Sequence, residues 1–252
     1  MKTKAVRLYG KEDLRLEEFD LPAIKDDEIL AKVVCDSICM SSYKASKQGT
    51  DHKRIPDDVS ENPVMIGHEF AGELIEVGSK WADKFKVGEK FSIQPAINYE
   101  QGPVGILSAP GYSYQYIGGD ATYVIIPNEV MEQDCLLPYT GEGYYPASLA
   151  EPLSCVIGAK HANYHTVPGS YVHKMEIVQG GNMAILAGVG PMGLAAINFA
   201  IHRSERQPGL LVVTDIDQDR LDRAAELYTP EEAAKNNIKL VYLNTKDCKD
   251  PQ

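Results

Sequence analysis

Residues 65 to 78 read Met65-Ile-Gly-His-Glu-Phe-Ala-Gly-Glu-Leu-Ile-Glu-Val-Gly78, a mostly apolar stretch with glycines where the backbone must bend or be approached closely. His68 and Glu69 stand side by side at its start. Neighbouring residues of a strand point to opposite faces, so both can reach one ion only if the backbone is irregular, which Gly67 permits. We interpret the stretch as a strand with two metal ligands at its N-terminal end.

Two further candidate ligands lie elsewhere in the chain. Cys39 is upstream, and Glu151 is downstream in Ala-Glu-Pro-Leu-Ser. Together with His68 and Glu69 they supply the thiolate, imidazole and carboxylate groups that hold catalytic zinc. Each also has an ordinary structural interpretation, as a buried histidine, a small apolar cysteine or an acidic residue in a helical first turn. The combination, rather than any one residue, indicates a metal site.

A second motif, Gly188-Val-Gly-Pro-Met-Gly193, follows an apolar segment and opens a helical one. In this context it predicts a dinucleotide site. Gly188 allows a tight turn, Gly190 lets the backbone approach the pyrophosphate, and Gly193 lets helix and strand pack closely. Pro191 and Met192 complete the loop at the helix N-terminus, where free N–H groups attract phosphate. The alternative is a glycine-rich turn in a domain that binds no nucleotide.

The choice of dinucleotide depends on Asp215, which ends the next predicted strand. Its carboxylate can accept hydrogen bonds from both ribose hydroxyls, and it would repel the additional phosphate of NADPH. We therefore expect NAD(H) to be preferred over NADP(H), unless Arg220 or another cation offsets the repulsion.

The composition is that of an ordinary globular protein, with 252 residues, 44% hydrophobic and 24% charged. The net charge of -11 argues against broad binding to nucleic acid or to an acidic membrane surface. The five cysteines are scattered, and the first residues lack the apolar run of a signal peptide, so a reducing cytoplasm is expected. Residues 183 to 201 are apolar, but their central glycines and proline favour a strand, loop and helix over a membrane span.

Two domains are expected, a mainly-β domain over residues 1–150 and an α/β domain over residues 151–252. Short alternating segments predict strands in the first, with a short helix over 39–47, and strand–helix alternation predicts a parallel sheet in the second. The predicted strands are 4–8, 14–19, 28–36, 70–77, 89–94, 121–126, 183–187, 210–214 and 239–243, and the other predicted helices are 148–164, 191–202 and 219–228. A doubly wound domain has two halves, and only the first is expected here, so the chain looks truncated.

The order of these motifs resembles the zinc-containing medium-chain dehydrogenases. Within that family, Gly-Tyr-Ser-Tyr-Gln-Tyr and Ala-Asn-Tyr-His-Thr are similar to polyol and sugar-phosphate dehydrogenases, L-sorbose-1-phosphate reductases above all. The resemblance implies a GroES-like catalytic domain, an incomplete Rossmann domain and one catalytic zinc between them. Carried over by position, the ligands are Cys39, His68 and either Glu69 or Glu151.

The resemblance also assigns roles near the metal. Ser41 falls where the family places a hydroxyl that hydrogen-bonds the reacting alcohol; the alternative is a serine that merely begins a helix. Lys44 falls near the position of the proton-relay histidine, so the relay must differ or pass to solvent. Ser42 replaces the usual aspartate behind the ligand histidine, so His68 should need another partner. Residues 97–115 contain no cysteine, so no structural zinc is expected.

The expected function is interconversion of a secondary alcohol and a ketone in a polyol or sugar phosphate, such as L-sorbose 1-phosphate, with zinc and NAD(H). Lys47, Lys53 and Arg54 could hold a substrate phosphate, or they could belong to a solvated charged face. The partner would be a small molecule, and the full-length protein is expected to form a homo-oligomer. Two alternatives stay open: a zinc-free quinone or enone reductase on the same fold, and a non-catalytic binding or structural fragment.

Overall fold

The computed structural model describes residues 1–202 and 205–248. The chain divides into two compact units, Met1–Glu151 (unit 1) and Pro152–Gln252 (unit 2). Each unit has its own hydrophobic core.

Unit 1 is mainly β, as short alternating segments separated by turn residues predict. Its elements are β1 (Lys2–Gly10), β2 (Asp13–Asp20), β3 (Ile29–Asp36), α1 (Met40–Gln48), β4 (Val64–Met65), β5 (Phe70–Val77), β6 (Lys90–Ile93), β7 (Pro103–Ile106), β8 (Tyr123–Ile126), α2 (Asn128–Glu132), β9 (Leu136–Tyr139) and α3 (Tyr145–Ser148), with 3-10 turns at Gly49–Asp51 and Ser79–Trp81.

Two antiparallel sheets enclose the core of unit 1. One has five strands in the order β8-β3-β5-β6-β9, and the other has three in the order β2-β1-β4. Residues from both sheets share one buried cluster, in which the rings of Phe70 and Phe91 meet edge to face at 6.0 Å. A second cluster, which includes Ala45 and Tyr112, packs α1 and the 95–119 loop against β1 and β4. These packed layers support α1 and the 95–119 loop.

Unit 2 follows the strand–helix alternation of its sequence. Helix α4 (Ala150–Ala162) leads into it, followed by a hairpin of β10 (Tyr164–Thr166) and β11 (His173–Met175). The remaining elements are β12 (Asn182–Ile185), α5 (Pro191–His202), β13 (Leu210–Asp215), α6 (Gln218–Leu227), α7 (Pro230–Ala234) and β14 (Lys239–Asn244), with a 3-10 turn at Thr245–Asp247. The last three strands form a parallel sheet in the order β12-β13-β14. The fold class predicted from the sequence is therefore confirmed.

Some local expectations were wrong. The strand predicted at 183–187 is β12, which ends at Ile185 and has alternately exposed and half-buried residues. Among the described residues it pairs with β13 alone, at the edge of its sheet. Residues 165–182, where no strand was predicted, contain β11, and the region after residue 126 contains α2 and β9, none of which has a strong periodic pattern. Across residues 1–202 and 205–248, every helix is too short or too polar to cross a membrane.

Candidate metal and dinucleotide sites

Antiparallel pairing explains why Cys39 meets His68. Strand β3 ends at Asp36, which is opposite Phe70, the first residue of β5. The backbone N–H of Ser37 extends this ladder by donating to the carbonyl of Glu69 at 3.0 Å. The chain then turns into α1, with Cys39 at its N-cap. The residues that follow β3 and those that precede β5 therefore share one end of the sheet.

The three side chains form a compact donor set. One ligand atom each of Cys39, His68 and Glu69 lies within 4.8 Å of the other two, and Nε2 of His68 is 3.8 Å from Oε1 of Glu69. A tetrahedral zinc with bonds of about 2.0–2.3 Å separates its ligands by about 3.5 Å. Small side-chain movements would therefore complete a metal site with these donor types.

Because the backbone is irregular at this point, the side chains of His68 and Glu69 can point towards the same site. Gly67 has a φ of +90°, and both residues precede the first residue of β5, so strand alternation does not apply to them. An ideal Cβ on Gly67 would lie 2.2 Å from the carboxylate of Asp36, so no larger residue fits. His68 and Glu69 are both buried, at 4% and 6% exposure.

Burial also sets the charge of the ligands. It lowers the pKa of His68 to about 4, with the positive charge of Arg54 adding to the effect. The imidazole is thus neutral at pH 7, as a metal ligand must be. Burial raises the pKa of the Cys39 thiol, which only the hydrogen bonds from Ser41 oppose. A metal ion would reverse this by favouring the thiolate.

His68 is oriented by Ser42, which corrects the expectation that another partner was needed. The hydroxyl of Ser42 is 3.3 Å from Nδ1, so Nε2 is the nitrogen on the side of Glu69. The first turn of α1 thus replaces the aspartate of the family pattern with a neutral hydroxyl.

Tyr112 is a site residue that the sequence analysis missed. It is only 6% exposed, and its hydroxyl donates to Oγ of Ser41 at 2.7 Å. Ser41 in turn donates to Sγ of Cys39 at 3.0 Å. The tyrosine lies in the irregular 95–119 loop, which has no periodicity to indicate which side chain faces inward. The run of tyrosines there was the sole signal.

The remaining predicted residues lie around this centre. Glu151 is outside the compact donor set, although its charge contributes to raising the pKa of Tyr112 to about 12, after the larger effect of burial. Lys44 is exposed on α1. Burial lowers the pKa of His52, and the charge of Lys44 contributes to the same effect.

At Gly111, the loop that carries Tyr112 packs closely against the backbone of Gly67 and His68. These two residues, with Cys39 and Glu69, form what we call the metal-ligand corner. Gly111 has a φ of +77°, and an ideal Cβ there would lie 2.0 Å from the carbonyl oxygen of Gly67 and 2.9 Å from the Cα of His68.

We expect Gly111→Ala to destabilise the chain more than Gly88→Ala does. Gly88 has a similar φ of +85° but no atom within 4 Å of its ideal Cβ, so both variants have the backbone strain and only Gly111→Ala has the overlap. The overlap should add about 1–3 kcal/mol, measured as a difference in urea unfolding. Equal losses in the two variants would contradict the tight contact.

The dinucleotide motif forms the turn between β12 and α5. The N–H of Gly188 donates to the carbonyl of Thr214 at 2.9 Å, which ties the loop to β13. An ideal Cβ on Gly193 would lie 2.2 Å from the carbonyl oxygen of Gly188, whereas one on Gly190 would meet nothing within 4 Å. Gly193 therefore provides close packing, and Gly190 lies beside open space. Pro191 and Met192, both exposed, form the first turn of α5.

Asp215 lies at the carboxyl end of β13. Its Oδ1 accepts the N–H groups of Ile216 at 2.8 Å and Asp217 at 3.1 Å, which fixes the direction of the carboxylate. Arg220 is exposed on α6 and pairs with Asp217 at 3.5 Å rather than with Asp215.

Comparison with known proteins identifies relatives of this chain. Residues 25–138 match the alcohol dehydrogenase GroES-like domain. The chain is 54% identical over 229 residues to L-sorbose 1-phosphate reductase of Klebsiella pneumoniae, with 91% of this chain and 55% of that protein covered. It is 47% identical over 249 residues to mannitol-1-phosphate 5-dehydrogenase of Aliivibrio fischeri, with 99% and 57% covered.

These matches support the medium-chain zinc polyol dehydrogenase family for this chain. The chain spans 55% and 57% of the lengths of the two relatives named above. The fold also agrees with a crystal structure of galactitol-1-phosphate dehydrogenase from Escherichia coli, at a TM-score of 0.65 and 19% identity, with 98% of this chain and 62% of that one covered.

The charged residues at the end of α1 and after it have different surroundings. Lys47 forms an ion pair with Glu12, and Lys53 is exposed. Arg54 is half-buried, donates to the carbonyl of Leu107 at 2.7 Å, and lies 5.8 Å from the ring centre of Tyr112. Of the three, Arg54 is the cation that acts on the metal-site residues.

Proposed function

We propose that this chain carries the metal and nucleotide sites of an oxidoreductase that interconverts a secondary alcohol and a ketone in a polyol or sugar phosphate. The convergence of Cys39, His68 and Glu69 in a buried corner beside the hydroxyl of Ser41 carries this proposal. Sugar-phosphate reductase and dehydrogenase relatives support it. The zinc-free reductase alternative has no use for such a donor set.

Zinc is the metal that these donors fit, with Cys39, His68 and Glu69 as ligands and Glu151 as a further candidate. When bound, it would supply Lewis-acid polarisation of the substrate oxygen. Ser41 would hold the proton of the reacting alcohol, since its hydroxyl lies 3.0 Å from Sγ of Cys39 and 3.3 Å from Nε2 of His68. Exposed Lys44 remains the proposed exit of that proton to solvent.

The nucleotide proposed for Gly188–Gly193 and α5 is NAD(H) rather than NADP(H). The N-terminus of α5 offers N–H groups to the pyrophosphate, and Asp215 offers an acceptor to the ribose. A phosphate about 4 Å from Asp215 would be repelled by roughly 4 kcal/mol at an effective dielectric of about 20, nearly three decades in affinity. Arg220 supports the same preference, because its partner is Asp217.

For a sugar phosphate, we propose that Arg54 holds the phosphate, with Lys53 as an outer contributor. Arg54→Gln should raise KM for a sugar phosphate by about tenfold, the equivalent of one charge-assisted hydrogen bond. Lys47→Gln is the matched control and should change KM little, because exposed ion pairs contribute about 0.2–1 kcal/mol. KM for the corresponding neutral polyol should stay constant in both variants. An equal increase for the neutral polyol would contradict the assignment.

The test of the function is a screen of polyols and sugar phosphates with NADH and NADPH, on protein whose zinc content has been measured. Turnover that needs zinc and prefers NADH is expected. Turnover of quinones or enones by zinc-free protein would instead support the alternative reductase, and absence of NADH binding would support a non-catalytic fragment.

Two broader proposals accompany this function. A reducing, cytoplasmic location is supported by the five cysteines, all among the described residues, which form no disulfide there. A homo-oligomer of the whole protein is proposed as well, and light scattering would test it.

A further inference from the structure

The side chain of Tyr112 touches the metal-ligand corner in two ways. Its hydroxyl donates to Ser41 at 2.7 Å and lies 3.3 Å from Nε2 of His68. Its ring is 4.7 Å from the imidazole of His68, tilted by 33°, and it stacks on the ring of His52 at 5.7 Å. The hydroxyl therefore contacts Ser41 and His68, and the ring contacts His68 and His52.

The hydrogen bonds around Ser41 have a direction. A hydroxyl has one proton to donate. The hydroxyl of Ser41 accepts a hydrogen bond from Tyr112 and donates one to Sγ of Cys39 at 3.0 Å. Because the oxygen of Ser41 already accepts the proton of Tyr112, the proton of Ser41 itself is directed towards the thiol. Without the tyrosine hydroxyl, Ser41 could rotate away from Cys39.

Backbone contacts hold Tyr112 in position. The preceding Gly111 is in contact with the backbone of Gly67 and His68, and the N–H of Tyr112 donates to the carbonyl of Ala109 at 3.1 Å. The tyrosine thus moves with the backbone that carries His68, and it can hold Ser41 in a constant relation to that ligand.

We propose that Tyr112 is a positioning residue of this site: its hydroxyl acts through Ser41 to fix the hydrogen bond that Cys39 receives, and its ring holds the imidazole of His68. The role in metal chemistry rests on the function proposed above. The link from Tyr112 through Ser41 to Cys39 exists in the metal-free chain and can be tested there.

The test is a double-mutant cycle of Tyr112→Phe and Ser41→Ala, read as the alkylation rate of Cys39 by iodoacetamide, resolved by mass spectrometry. Each single variant should change the rate by about fivefold, the equivalent of one neutral hydrogen bond. The double variant should change it no further, because both remove the same interaction. Tyr114→Phe is the matched control and should have no effect, since among the described residues the buried hydroxyl of Tyr114 makes no hydrogen bond to Ser41.

A cobalt-loaded chain supplies the second readout. Tyr112→Phe and Ser41→Ala should shift the thiolate-to-cobalt absorption alike, while Tyr112→Leu, which also lacks the ring, should weaken cobalt binding by about 10–100-fold. Additive effects of Tyr112→Phe and Ser41→Ala on alkylation, or an effect of Tyr114→Phe as large as that of Tyr112→Phe, would overturn the proposal. Failure of the wild-type chain to bind cobalt or zinc would instead count against the proposed function, and the alkylation cycle would still decide the role of Tyr112.

Discussion

Replacing Cys39 by serine is expected to lower the zinc affinity of the chain by more than the roughly 10–100-fold that losing a residue behind a ligand costs. The thiolate is the one soft donor in the set, and the remaining imidazole and carboxylate cannot fill a tetrahedral site. Equilibrium competition against a zinc chelator would measure the affinity, and elemental analysis would measure the zinc content of the purified protein. Nicotinamide-dependent turnover should fall with the zinc content.

Two controls make the result specific. Cys155→Ser alters an exposed cysteine on α4 and should leave zinc binding unchanged. Glu69→Gln and Glu151→Gln distinguish the two carboxylates, because only Glu69 lies within the compact donor set. We therefore expect the larger loss of affinity from Glu69→Gln. A larger loss from Glu151→Gln would indicate that Glu151 is the ligand. Unchanged zinc binding in Cys39→Ser would refute the proposed metal site.

Alanine substitutions at Gly193 and Gly190 should separate folding from nucleotide binding. At Gly193 the new Cβ would lie 2.2 Å from the carbonyl oxygen and 2.3 Å from the carbonyl carbon of Gly188, and α5 must shift to relieve it. Overpacking of this kind costs about 1–3 kcal/mol, so Gly193→Ala should lower the unfolding midpoint and NADH affinity together.

Gly190→Ala is the matched variant on the same loop. Its Cβ would project into open space, so the unfolding midpoint should be unchanged. NADH affinity should still fall by about tenfold or more, because the methyl group would occupy the space that the pyrophosphate needs. Calorimetric binding and thermal unfolding of both variants would check this. NADH affinity that is unaffected by Gly190→Ala would place the nucleotide elsewhere.

The sequence was most informative where local pattern and local structure coincide. Strand β5 occupies Phe70–Val77 and helix α5 occupies Pro191–His202, each with the predicted boundaries, because an apolar run bounded by glycine or proline needs no distant partner to define it. The separate tasks of Gly190 and Gly193 also follow from their places in a strand–turn–helix unit. Residue types and their order, through the resemblance that they carry to the dehydrogenase family, also indicated Cys39 and His68 as a pair.

Only the tertiary structure decided which side chains surround that pair. The pairing of β3 with β5 brings Ser42 to Nδ1 of His68, where the sequence had left a partner missing. Tyr112 reaches Ser41 from 71 residues away, and Lys47 is turned to Glu12 by contacts that no periodicity encodes. The physical reason is that the periodic direction of side chains shows which residues share one face of a helix or strand. Where an irregular loop packs against the rest of the unit depends instead on backbone contacts such as that between Gly111 and Gly67.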